Sequence, residues 1–127
     1  MAEKVLADAR LLYVEDDELV RRMLAQTLRR RVKELYEAGN GLEGLEIYKK
    51  LRDEIDVIVT DIEMPLMNGL VMIEEIRKIS PHVPIIVVTA YNDEYHRTKL
   101  ADAFVVKPVK KDDLFRVITE CLQKRYS

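Results

Sequence analysis

The sequence predicts a doubly wound, flavodoxin-like α/β fold: a five-stranded parallel sheet in the order 2-1-3-4-5, with five helices covering both faces. Three observations predict it. Short apolar runs rich in β-branched residues recur along the chain: Leu11-Leu12-Tyr13-Val14, Val57-Ile58-Val59-Thr60, Ile85-Ile86-Val87-Val88 and Phe104-Val105-Val106. Each is bounded by polar residues, the pattern of strands buried on both faces. Helically spaced apolar residues lie between the runs, so strands and helices alternate. Right-handed crossovers then require a parallel sheet with helices on both sides. For five strands the simplest closure is 2-1-3-4-5, which sets strands one and three side by side at the switch point.

Taken in order, strand one covers residues 10–15. Asp17 caps the next helix, because its carboxylate can accept from the free amides of the first turn. Leu19, Met23, Leu24, Thr27 and Leu28 mark one face of that helix. Arg29-Arg30-Arg31 close it, where cations favour the C-terminal end of the helix dipole. Strand two covers 32–38. Gly39-Asn40-Gly41 is a turn whose glycines are free to take positive φ. The second helix covers 42–52 and strand three 56–61. Gly69 opens a third helix that turns Leu70, Ile73 and Ile76 inward and ends near Ser80-Pro81. Strand four covers 83–89, a short helical segment falls within 92–100, and strand five covers 102–107. The last helix follows Pro108, with Leu114, Val117, Ile118, Cys121 and Leu122 at helical spacing.

The 127 residues are expected to form one domain, 1–127. With 21 basic and 23 acidic residues the net charge is -2, which gives no electrostatic case for nucleic acid or an anionic membrane. No apolar stretch approaches the roughly 20 residues needed to span a bilayer. The first ten residues lack the apolar core of a signal peptide. A single cysteine, Cys121, cannot form an intrachain disulfide, and a cytoplasmic location is expected.

In an open parallel sheet the strands' carboxyl ends lie along one edge, where ligand chemistry gathers. Glu15-Asp16-Asp17, Asp61, Thr89 and Lys107-Pro108 each stand where an apolar run stops. Taken singly, each has a plainer reading. A lone acid at a strand end is usually a loop residue or a helix cap, and Asp17 is read that way. Together, acids, a hydroxyl and an amine suit a divalent metal and a phosphoryl group. Asp61 faces Glu15 and Asp16 across adjacent strands, and like charges raise the cost of ionising all three. A hard cation removes that cost; Mg²⁺ takes oxygen ligands, typically one or two carboxylates plus phosphate oxygens. Asp16 and Asp61 are the carboxylates in the right place. Asp61 is then a candidate nucleophile toward phosphorus, with Lys107 and Thr89 partnering the phosphoryl oxygens.

These motifs resemble the receiver domain of bacterial two-component response regulators, over residues 9–125. Leu-Leu-Tyr-Val-Glu-Asp-Asp-Glu (11–18) is similar to the family's first strand and acidic pair. Asp-Ile-Glu-Met-Pro-Leu-Met-Asn-Gly (61–69) resembles its phosphoacceptor loop, and Val-Val-Thr-Ala (87–90) and Phe-Val-Val-Lys-Pro (104–108) the remaining two motifs. The resemblance implies that Asp61 is the phosphoacceptor and that Mg²⁺ or Mn²⁺ binds Asp16 directly, Glu15 through water, Asp61, and the backbone carbonyl of Glu63. It implies that Thr89 and Lys107 hold the phosphoryl group, that Thr89 and Phe104 form the switch, and that the Lys107–Pro108 bond is cis. Glu63 and Tyr91 would tune dephosphorylation. The implied partners are a sensor histidine kinase or phosphotransfer protein, a downstream protein target or an output domain, and a weak dimer on phosphorylation. The domain would not be a conventional enzyme, but would catalyse its own phosphorylation and dephosphorylation. One departure stands out: between Thr89 and Lys107 the chain is about four residues, one helical turn, shorter than in most of the family. Leu100 also replaces a common helix-ending glycine. The helix between strands four and five should therefore be short, displaced or frayed.

Two rival functions follow from the same residues. A haloacid-dehalogenase-type phosphatase also uses an Asp nucleophile with Mg²⁺, a hydroxyl and a lysine. Its nucleophile sits on the first strand with a second Asp two residues on; here two strands precede Asp61, and residue 63 is Glu. A phosphorylation-independent interaction domain is disfavoured by retention of every motif residue.

Overall fold

The computed structural model describes residues 2–90 and 98–125. Five strands, β1 (Arg10–Val14), β2 (Glu34–Ala38), β3 (Val57–Thr60), β4 (Ile85–Thr89) and β5 (Ala103–Val106), form one parallel sheet. Its order is β2-β1-β3-β4-β5, as the sequence predicts. Val14 is level with both Ala38 and Thr60, and Thr89 with Val106. The carboxyl ends are therefore aligned, and the residues just past them share one edge.

Alternate strand residues feed two apolar layers, following the period of two. Leu11, Tyr13, Val57, Val59, Ile86 and Val88 face one layer, and Leu12, Val14, Ile58, Ile85 and Val87 the other. Most of these side chains have no solvent exposure. Fully burying a Val, Leu or Ile is worth about 1.5–3 kcal/mol over leaving it exposed. The three central strands are thus firmly held, and they carry the functional edge.

The described residues contain five helices: α1 (Ala2–Ala7), α2 (Glu18–Arg29), α3 (Gly41–Leu51), α4 (Gly69–Ile79) and α5 (Lys111–Arg125). α1, α2 and α5 cover the first layer through Leu6, Ala25, Leu28, Leu114, Ile118 and Leu122. α3 and α4 cover the second through Leu45, Tyr48, Met72, Ile73 and Ile76. None is long and apolar enough to cross a membrane. Three are capped by side chains at their N-termini: Asp17 accepts from Val20 N–H (3.0 Å), Asn40 from Glu43 N–H (2.8 Å) and Asn68 from Val71 N–H (3.0 Å). The Asp17 cap follows the sequence reading.

Four points bear on the sequence expectations. α1 was not anticipated; it packs on α5 and buries Leu6. The helix expected within 92–100 lies outside the described residues, apart from 98–100. There Leu100 N–H donates to Thr98 Oγ1 at 3.2 Å. Third, Leu19 and Met23 do not face the core: they are 68% and 64% exposed. The inward side of α2 carries Leu24, Ala25 and Leu28, together with Arg21. Fourth, none of the described glycines has positive φ. Asn40 makes the turn before α3 as a helix cap, in extended conformation.

The return into β5 is anchored by Arg77 of α4. Its Nε donates to the Leu100 carbonyl (2.8 Å), Nη1 to the Val83 carbonyl (2.6 Å) and Nη2 to Asp102 Oδ2 (3.0 Å). The same Asp102 oxygen accepts from Ile85 N–H (2.8 Å). Asp102 is thus an anchor ahead of β5 rather than its first residue, and it fixes where β5 begins beside β4.

Candidate functional site

The site is built where the strands end. Glu15 N–H donates to the Ala38 carbonyl (3.0 Å), and Asp61 N–H to the Val14 carbonyl (3.0 Å). Both acids therefore continue the sheet ladder by one residue on neighbouring strands. On the other side of β3, Lys107 N–H donates to the Thr89 carbonyl (2.7 Å), so Lys107 continues β5 along β4. The peptide bond between Lys107 and Pro108 is cis.

These backbone positions bring the side chains together. Asp61 Oδ2 accepts from Lys107 Nζ at 2.9 Å, and Glu15 Oε1 lies 3.4 Å from the same ammonium. Asp61 Oδ1 accepts from Ile62 N–H (2.7 Å), and Glu15 Oε2 from Asp17 N–H (3.1 Å). Glu15, Asp61 and Thr89 are buried and Asp16 is exposed. Carboxylate oxygens of Glu15, Asp16 and Asp61 all lie within 4.8 Å of one another. Phe104 is half-buried on β5 opposite Val87, against the α3–α4 layer. Glu63 is exposed in the loop after Asp61, and Tyr91 lies outside the described residues.

Three carboxylates and one ammonium leave negative charge in excess. Burial, then the charge on Asp61 and a hydrogen bond with Asp16, raise the Glu15 pKa to about 7, against the lowering effects of Asp17 N–H and Lys107. Burial opposes the charge on Lys107, but the bonds and charges of Asp61 and Glu15 outweigh it and hold its pKa above the ordinary value. An oxygen-only cluster that one lysine neutralises incompletely fits a hard divalent cation.

The raised Glu15 pKa has a consequence for metal-free protein. A carboxyl whose folded pKa lies above its unfolded value favours the folded state while protonated. That stability is fully present below pH 4.5 and is lost as pH rises through about 7. Thermal unfolding across this window should show the wild type losing on the order of 2 kcal/mol relative to Glu15→Gln. Parallel profiles for the two proteins would mean that the Glu15 pKa is the same in the folded and unfolded chain and is not raised.

The loop that carries Asp61 into α4 depends on two glycines whose role the sequence reading missed. A Cβ on Gly69 would stand 2.2 Å from the Asp61 carbonyl oxygen and 2.8 Å from Ile62 Cα. A Cβ on Gly41 would stand 2.0 Å from the Met67 carbonyl oxygen. Gly69 N–H donates to the Ile62 carbonyl (2.7 Å), closing the loop on itself. Leu66 is 82% exposed at the loop's tip and takes φ 68°, a left-handed conformation that costs a branched side chain energy. The only sequence signal for this packing was glycine itself, at 41 and 69.

Comparison with known proteins agrees with this geometry. Residues 11–119 match the response regulator receiver domain. The chain belongs to that family, a receiver domain of two-component signalling, typically a signalling module rather than an enzyme. It is 35% identical to the sensor kinase CckA of Brucella abortus, over 98% of this chain and 14% of that protein. It is 30% identical to the chemotaxis protein CheY of Halobacterium salinarum, over 88% of this chain and 95% of the relative. Among solved structures it resembles the response regulator TrrA of Thermotoga maritima in complex with Mg(2+)-BeF. That match has 33% identity and a TM-score of 0.77, over 89% of this chain and 98% of the other. The chain therefore spans a small fraction of the sensor kinase and nearly all of the chemotaxis protein.

Proposed function

We propose that this chain, as one domain over residues 1–127, accepts a phosphoryl group on Asp61 from a histidine kinase or phosphotransfer protein. The observation that carries the reading is the Lys107 ammonium, 2.9 Å from Asp61 within a cluster of three acids. The Asp61 carboxylate supplies the electron pair for a new O–P bond as the donor's P–N bond breaks, and the imidazole leaves with that bond's electrons. Lys107 bridges Asp61 and Glu15 beforehand. It then follows the phosphoryl oxygens, as a mobile ammonium is suited to do. The Thr89 hydroxyl partners a second oxygen. Asp16, Asp61, the Glu63 carbonyl and, through water, Glu15 would hold Mg²⁺ or Mn²⁺, which would neutralise charge on the transferring group. The Mg(2+)-BeF complex of TrrA supports that assignment by similarity.

The chain is not a conventional enzyme in this reading, but promotes its own phosphorylation and dephosphorylation. On the figure for side-chain phosphates the bound phosphoryl group carries about -1.5 to -2 charges at neutral pH, in place of the single charge of the Asp61 carboxylate. That charge draws Thr89 toward it and frees space for the Phe104 ring, the two arrangements of a switch read by a downstream protein or an attached output domain. A weak dimer of the phosphorylated form and a cytoplasmic setting complete the proposal.

The metal assignment separates two neighbouring acids. Asp16 is exposed within the carboxylate cluster, while Asp17 accepts from Val20 N–H as a helix cap. Asp16→Asn should weaken Mg²⁺ binding about tenfold or more and slow labelling by a small acyl-phosphate donor. Asp17→Asn should change both by less than about twofold, since Asn caps nearly as well. Equal losses in a calorimetric Mg²⁺ titration of the two variants would overturn this division of roles.

A further inference from the structure

We infer that Arg21 is a positioning residue for the acidic pair. It grips the Glu15 carbonyl and so sets the Glu15–Asp16 peptide in the orientation that turns Asp16 toward Asp61. The inference builds on the proposal that Glu15, Asp16 and Asp61 hold a divalent cation.

Arg21 stands at an unusual place. The inward side of α2 carries Leu24, Ala25 and Leu28, and Arg21 precedes them at the same helical spacing, with its side chain only 20% exposed. That side of an amphipathic helix is normally apolar. A charge there is costly unless it is paired and hydrogen-bonded. Arg21 meets that condition: Nη1 donates to the Glu15 carbonyl at 2.8 Å, and Nε lies 3.5 Å from Glu37 Oε1. Glu37 is itself held by Arg29, whose Nη2 lies 2.6 Å from Oε2. The guanidinium therefore ties the second turn of α2 to the loop after β1 and to the end of β2.

The gripped atom matters most. The Glu15 carbonyl belongs to the same rigid peptide plane as the Asp16 N–H. Fixing that carbonyl fixes the plane from which the Asp16 side chain departs. A bond from a guanidinium is charge-assisted, and the planar fork holds its direction better than a lysine ammonium would. A metal site needs its ligands aimed before the cation arrives, and side chains outside the ligand set do the aiming.

Arg22 provides the matched control. It carries the same charge one residue on, is 73% exposed, and pairs with Glu18 on the helix surface. Arg21→Gln and Arg22→Gln thus remove the same charge but only one removes the grip. Two readouts are taken from each variant: the Asp16 amide resonance in metal-free protein, and Mg²⁺ affinity by calorimetry. The Asp16 amide should move clearly in Arg21→Gln and stay within line width in Arg22→Gln, and Mg²⁺ affinity should fall about tenfold only in the first. If Arg21→Gln does not fold, Arg21→Lys keeps the charge and the apolar stem and should show both changes in smaller measure. An Asp16 amide unmoved in the Arg21 variants, or Mg²⁺ affinity within twofold of wild type, overturns the inference. Wild-type protein that binds no Mg²⁺, with the Asp16 amide still moving in Arg21→Gln, removes the metal proposal and leaves the positioning role standing.

Discussion

Asp61→Asn should abolish labelling by a small acyl-phosphate donor while the domain stays folded. The backbone reasons for the fold survive the change: Asp61 N–H still reaches the Val14 carbonyl, and an Asn oxygen can still accept from Ile62 N–H. What is lost is the carboxylate nucleophile and the ion pair with Lys107. That lysine side chain is 32% exposed and keeps Glu15 as a partner, so losing the pair costs some stability but leaves no buried charge unpaired. Part of this is offset, because removing the Asp61 charge relieves the repulsion that helps raise the Glu15 pKa. Intact-mass measurement should show no adduct under conditions that label the wild type, with a melting temperature within a few degrees of it. An adduct forming at the wild-type rate would mean that phosphorus is attacked by another group.

Gly69→Ala should cause a large loss of stability for a single added methyl, as should Gly41→Ala, whose Cβ would also meet backbone. The Cβ added at Gly69 would meet the Asp61 carbonyl oxygen at 2.2 Å and Ile62 Cα at 2.8 Å. Both are main-chain atoms, so no rotamer change makes room. Either the loop after Asp61 or the first turn of α4 must move, and α4 is held by buried Met72, Ile73 and Ile76. Overpacking usually costs 1–3 kcal/mol; a clash with the backbone of Asp61 and Ile62 should reach about 3 kcal/mol or more, roughly 10 °C in melting temperature. Gly44→Ala makes the comparison fair, since its Cβ would meet only side chains, Met72 Sδ at 2.8 Å and Val14 Cγ2 at 2.9 Å. It should lose clearly less in a thermal melt. A Gly69→Ala protein as stable as wild type would show that the loop is not packed as described.

The contrast between these residues explains what could be read from sequence. The sheet was legible because strands buried on both faces are apolar without a break, as in Val57–Thr60 and Ile85–Thr89. The cluster of Glu15, Asp16, Asp61 and Lys107 was legible because each ends such a run, and the aligned register brings the ends together. α1 was not legible. Six residues are too few to show a helical period, and so short a helix depends on its packing against α5. The inward face of α2 was misread because its first half carries exposed Leu19, Val20 and Met23 while a buried-facing position holds Arg21. Apolar spacing alone selects the wrong stripe when a charged head finds its partners on the backbone. Gly41 was read as a turn residue because glycine permits positive φ; its actual reason is the approach of the Met67 carbonyl from 26 positions away in sequence, a tertiary fact.

We propose Asp61 as the phosphoryl acceptor because the carboxylate cluster and Lys107 surround it. The most direct test is to treat the wild-type chain with a small acyl-phosphate donor, with and without Mg²⁺, and to locate the adduct by peptide mapping. One Mg²⁺-dependent adduct, on Asp61, is expected. An adduct on any other residue, or equal labelling of Asp61 in the presence of a chelator, would contradict it.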